Sequence, residues 1–159
     1  MEIKYKLIGL IRSPFKDIGG MPIQPTGASR VSGSVEVFFE HTAGLKDLEG
    51  FSHIMLVYHL HRAKRGELIV TPFLDSQPHG VFATRAPNRP NPIGISVVKL
   101  LRIEGNVLQV ENVDILDGTP LLDIKPFVPE FDAPQVQSIG WLANAKHSAA
   151  QHRADDRFS

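Results

Sequence analysis

Short apolar segments separated by Gly, Pro, Asn and Asp recur along the chain. They run over Lys6–Ile11, Ser34–Phe39, His53–Leu60, Leu68–Phe73, Gly80–Ala83, Ile95–Ile103, Val107–Ile115 and Leu121–Phe127. Their richness in Val, Ile, Leu and Phe, together with that punctuation, predicts strands. Ser34–Phe39 alternates weakly, with Val35, Val37 and Phe39 on one face, which predicts a sheet buried on one side. Gly105-Asn106 between two long segments predicts a tight hairpin. Helical signal is sparse. A short helix is predicted over His41–Leu48 with Thr42 as its cap, and another over Gln135–Ala145, weakened by Gly140. The expected fold is mainly β: a small antiparallel β-barrel with a few short helices. The barrel domain is expected over residues 1–133 and a C-terminal extension over 134–159, its polar end from His147 frayed or disordered.

Composition narrows the class. A chain of 159 residues is long enough to bury one core unaided. With no cysteine, disulfides and thiolate-bound metals are excluded. No signal-like or membrane-spanning run is visible, so a cytoplasmic protein without membrane association is expected. Lys plus Arg equals Asp plus Glu at 17 each, so the whole chain provides no long-range field for nucleic acid, and any such partner must be met by a local patch. Dinucleotide fingerprints, P-loops and nucleophile elbows are absent, which disfavours the common nucleotide folds and serine hydrolases. His59 and His61 share one face of a strand, but no third ligand is placed by spacing, so no metal is expected.

Two stretches concentrate candidate chemistry. In TRAPNRPNPIGIS (Thr84–Ser96), three prolines stiffen the loop and hold Arg85 and Arg89 as pre-oriented guanidinium forks suited to a carboxylate or phosphate. In DILDGTPLLDIKPFVP (Asp114–Pro129), aspartates surround an Asp117-Gly118 turn, and Lys125 precedes a proline. A basic run, HLHRAKR (His59–Arg65), follows an apolar segment and reads most simply as a solvated strand end. Phe51, Phe73, Phe82 and Phe127 are expected in the core or a subunit interface.

GLIRSPF, DLEGFSHIMLVYHLHR, GVFATRAPNRPNPIGIS and DILDGTPLLDIKPFVP stand in an order and spacing that resembles the TsaA/TrmO-like family over residues 5–132. The resemblance implies a β-barrel that binds S-adenosylmethionine without a Rossmann fold. It implies methyl transfer to N6-threonylcarbamoyladenosine beside the tRNA anticodon, commonly by a homodimer. Carried over by motif, cofactor contacts are expected at Gln24 and Pro25, at His61 and Arg62, at Arg85 and Ile95, and at Asp114, Leu116, Asp117, Gly118 and Thr119. Arg89, Asn91 and Lys125 are the expected substrate contacts.

The cofactor offers a carboxylate, an ammonium, a sulfonium and an adenine. Arg85 suits the carboxylate, with Arg89 sharing that role or meeting RNA phosphate. Asp114 or Asp117 suits the amino group or ribose hydroxyls, and backbone around Ile95 and Leu116 suits the adenine. Methyl transfer rests mainly on alignment. Because the acceptor nitrogen is urea-like, Asp117 or a neutral His61 is a candidate general base. The alternative is a barrel that holds S-adenosylmethionine or RNA without catalysis.

Overall fold

The computed structural model describes residues 1–23 and 25–145. Among the described residues there are eight strands: β1 (Gly9–Arg12), β2 (Ser32–Val37), β3 (His53–His59), β4 (Ile69–Val70), β5 (His79–Gly80), β6 (Ile93–Glu104), β7 (Val107–Glu111) and β8 (Thr119–Pro126). Six close into an antiparallel barrel in the order β1-β2-β7-β6-β3-β8, and β4 pairs with β5 outside it. Helix among the described residues is confined to short 3-10 turns and one turn of α-helix, Pro129–Asp132. The expected class, mainly β around a small antiparallel barrel, is the observed one.

Alternation explains the closure. In β3, Ile54, Leu56 and Tyr58 point inward while His53, Met55, Val57 and His59 point outward. Val35, Val98, Leu108, Val110 and Leu121 meet the first set at zero exposure. Each such side chain contributes about 1.5–3 kcal/mol on burial. Gly105, at φ +63°, and Asn106 make the predicted hairpin between β6 and β7.

Several local expectations fail for identifiable reasons. Phe39 leaves the strand after Val37 and is 86% exposed in a 3-10 turn spanning Phe39–Leu45. Thr42 lies inside that turn, and its N-cap is Phe38, which makes no side-chain cap bond. The segment Leu68–Phe73 keeps only Ile69–Val70 as strand, because Pro72 cannot donate to a ladder. Val81–Ala83 is a 3-10 turn. Over Gln135–Ala145 only Gly140–Asn144 is helical, again 3-10, entered through Gly140 at φ +60°. The expectation for residues 147–159 lies outside the described residues.

A satellite core of Val70, Val81 and Ala86, with Phe73 against it, anchors the long excursion between β3 and β6 beside the barrel mouth. That excursion carries the proline-rich loop. Tight locking of this loop to the barrel creates the cleft.

Candidate functional site

Two knots of hydrogen bonds shape the barrel mouth. Asn88 is 3% exposed; its Oδ1 accepts from the Lys64 amide at 2.9 Å and its carbonyl from the Glu67 amide at 3.2 Å. With the Leu60 amide donating to the Pro92 carbonyl at 2.8 Å, this fastens the HLHRAKR loop to the proline-rich loop. Within the latter, Arg89 Nη1 donates to the carbonyls of Thr84 (3.2 Å) and Ala86 (3.4 Å). Arg89 is thus committed to holding the loop's shape, while Arg85 stands exposed on the cleft wall.

The second knot joins GLIRSPF to the aspartate turn. Ser13 donates its hydroxyl to the Ile115 carbonyl at 2.5 Å and its amide to Asp117 Oδ1 at 3.0 Å. Lys16 Nζ donates to Asp117 Oδ2 at 2.5 Å, and the Asp117 and Gly118 amides donate to the carbonyls of Phe15 and Ile11. Both carboxylate oxygens are therefore engaged. The Lys16 hydrogen bond, aided by the Ser13 amide, lowers the Asp117 pKa. Asp117 fixes the turn and does not line the cleft.

Between the knots lies a cleft of about 750 Å³, within the range of small-molecule sites. It continues into an inner recess of about 120 Å³ lined by His61, Arg62, Leu116 and Thr119. Ile18 and Met21 line both spaces, as do Tyr58 and Asp114. At this junction Ser96 Oγ donates to Asp114 Oδ1 at 2.6 Å. Since that uses the only serine hydrogen, the Tyr58 hydroxyl, 2.9 Å away, is the donor to Ser96. Burial pushes the Asp114 carboxyl up to about 6, against the Ser96 hydrogen bond and the Arg85 guanidinium. Burial likewise raises the Tyr58 phenol, with Asp114 adding to the shift.

His61 meets Thr119 Oγ1 through Nδ1 at 3.4 Å, while that hydroxyl donates to the Leu116 carbonyl at 2.6 Å. Thr119 therefore accepts and His61 Nδ1 carries the hydrogen, leaving Nε2 as the lone-pair nitrogen. Burial first, then Arg62 and His59, lowers the His61 pKa, so the imidazole is neutral at pH 7.

The structure thus places Arg85 on the cleft, His61, Arg62, Leu116 and Thr119 on the recess, and Asp114 on both. Ile95 is 58% exposed on the outer barrel face, paired with Val57. Asn91 is exposed in the proline-rich loop three residues after Asn88, and Lys125 is on β8, paired with Asp123 at 2.8 Å. Gln24 lies outside the described residues. Pro25 opens a 3-10 turn just after Met21, Pro22 and Ile23 on the cleft wall. Phe82, expected in a core or interface, is 76% exposed and lines the cleft. Sequence reasoning missed Tyr58, Ser96 and Asn88, and also Trp141, which lines the cleft. A serine inside an apolar strand and a lone tryptophan in a polar segment were the signals available. Among the described residues, no cluster of three or more His, Asp or Glu is placed to hold a metal. No described helix is long and apolar enough to cross a membrane.

A closed antiparallel barrel with a ligand-sized cleft at its mouth, walled by arginine, carboxylate and apolar side chains, defines a small-molecule-binding barrel. The profile of one family, described as the tRNA-methyltransferase O N-terminal domain, matches residues 10–133, and the chain belongs to that family. It is 57% identical over 158 residues to a probable S-adenosyl-L-methionine-binding protein of Pyrococcus abyssi, covering 99% of this chain and 86% of that one. It is 37% identical over 141 residues to the mouse tRNA (adenine(37)-N6)-methyltransferase, covering 83% of this chain and 32% of the mouse protein. The crystal structure of TrmO from Pseudomonas aeruginosa superposes with a TM-score of 0.75 at 38% identity. That match covers 89% of this chain and 63% of the solved one, so the chain spans under two thirds of this structural relative.

Proposed function

We propose that the protein is an S-adenosylmethionine-dependent tRNA methyltransferase that methylates N6 of threonylcarbamoyladenosine beside the anticodon. The observation that carries this reading is that Asp114 lines both the cleft that Arg85 walls and the recess that His61 lines, in a chain of this family. The residues fit the cofactor. Arg85 answers its carboxylate, Asp114 its amino group or ribose hydroxyls, and Leu116 with the apolar walls its adenine. Pro25 and Gln24 complete the expected set, with Arg62 and Thr119 lining the recess and Gly118 tied through its amide to the Ile11 carbonyl. When bound, the cofactor supplies a methyl group activated by positive sulfur.

The chain's own work is then alignment, exclusion of water and acceptance of one proton. Of the two candidate bases, His61 is favoured, because it lines the recess with Nε2 unprotonated while Asp117 has both oxygens bonded. Asn91 and Lys125 remain the tRNA contacts we propose on the outer surface, and Arg89 serves them only indirectly, by holding the shape of the loop that carries Asn91. Ile93 and Ile95, 39% and 58% exposed on the outer barrel face, suit the homodimer that we propose. A cytoplasmic setting accords with the absence of cysteine. The second reading, a cofactor-binding module without catalysis, is favoured by the naming of the Pyrococcus relative.

Calorimetry with S-adenosylmethionine on the wild type and Arg85→Ala tests the cofactor site. Binding by the first and a loss of about 1.5 kcal/mol or more in the second is expected for a charged hydrogen bond removed. No binding by the wild type would discard the assignment. Release of the demethylated cofactor on addition of tRNA separates enzyme from module.

A further inference from the structure

The family match ends at residue 133, yet Ile139, Trp141 and Leu142 help to wall the cleft. Trp141 is held in two ways. Its Nε1 donates to the Ala83 carbonyl at 2.9 Å, and its indole stacks on the His79 imidazole with centroids 4.6 Å apart and planes 16° from parallel. His79 is itself bonded through Nε2 to Asp75 Oδ2 at 2.8 Å. The indole therefore has one face covered and its polar edge tied, while the residue stays half-buried on the cleft wall. Phe82 and the Arg85 cation line the same cleft.

A mere hydrophobic plug would be expected to sink into a core. An aromatic ring fixed by its edge and one face, at the wall of a ligand-sized cleft, is instead built as a preorganised stacking surface. We propose that Trp141 provides a stacking face for a purine ring, so that chain outside the family domain completes the base-binding wall. The proposal rests on the functional reading above, which supplies two sources of that ring: the adenine of the cofactor and an adenine base of RNA.

Trp141 is the only tryptophan in the sequence, so indole fluorescence of the full chain reports on this wall alone. The protein is titrated with S-adenosylmethionine in one arm and with an anticodon stem-loop RNA in the other, with calorimetry in parallel. Saturable quenching at the calorimetric midpoint in the cofactor arm assigns the wall to the cofactor's adenine; quenching that appears only with RNA assigns it to an RNA base. Absence of quenching in both arms overturns the proposal. Loss of calorimetric cofactor binding instead removes the cofactor assignment and leaves the stacking face to be decided by the RNA arm. Trp141→Phe keeps a ring and is expected to hold affinity within about threefold, whereas Trp141→Ala loses roughly fivefold or more. Equal losses in the two variants would make the indole N–H an anchor only, and the proposal would fall.

Discussion

Gly94→Ala is the sharpest probe of how the cleft floor is built. Gly94 faces Tyr58 across the β3–β6 pair, and the phenol ring lies directly over it. A Cβ added at residue 94 would stand 2.6 Å from Tyr58 Cζ and 3.0 Å from Cδ2, and closer still to Cε2. Carbon atoms prefer roughly 3.5–4.0 Å, so the ring must move by about 1 Å or more. The ring is 7% exposed and tethered through its hydroxyl to Ser96, leaving little room for movement. Overpacking of this kind costs about 1–3 kcal/mol, and an unsatisfied buried hydroxyl adds about 1–3 kcal/mol. We expect a total loss of about 2–6 kcal/mol, read as a fall in the urea midpoint of about 1–3 M at an unchanged slope of about 2 kcal/mol per M. In a Tyr58→Phe background the hydrogen-bond part is already gone, so the same substitution should cost only the overpacking part. A Gly94→Ala variant within about 0.5 kcal/mol of wild type would refute the account of the Tyr58–Ser96–Asp114 chain as a rigid unit.

Two further outcomes follow from the geometry. The native Asp114 pKa, raised to about 6 from 3.8, means that the folded protein holds a proton the unfolded chain has lost between about pH 4 and 6. Stability therefore falls as pH rises through that window and stays level above it; Asp114→Asn should flatten the slope, stabilise the protein at pH 7 by about 1–3 kcal/mol, and weaken cofactor binding. Denaturant titrations at several pH values check this, and an unchanged slope in the variant would count against a buried, ion-disfavouring site. If the chain forms the proposed homodimer, Ile95→Asp should shift sedimentation from dimer toward the 17.6 kDa monomer, and a monomeric wild type would remove the proposal.

The barrel was legible because its information is local and repetitive. Inward positions of β3 and β6 alternate with outward ones, and Gly105-Asn106 marks its own hairpin. The proline-rich loop was also legible as stiff, but the division of labour inside it was not. Arg85 and Arg89 look equivalent in sequence, and only the backbone path decides that Arg89 satisfies the Thr84 and Ala86 carbonyls. Asp117 illustrates the same limit: an Asp-Gly pair announces a turn, whereas its engagement by Ser13 and Lys16 depends on contacts about a hundred residues away. Phe82 is expected in the core or a subunit interface because it is apolar, and the short turn of Val81–Ala83 excludes the core by burying Val81 and turning Phe82 outward.

The Asn88 latch has a consequence for binding thermodynamics. Because it knots the two mouth loops together, the entropy of ordering them is lost once, when the barrel forms, and not again at each ligand encounter. Ligand entry should then carry a modest heat-capacity change, set by the apolar area that ligand and wall bury against each other, and not the greater change that accompanies a protein folding around its guest. The same knot makes this side of the mouth a part of the barrel's own melting unit, so the cleft wall and the core should lose protection from hydrogen exchange together.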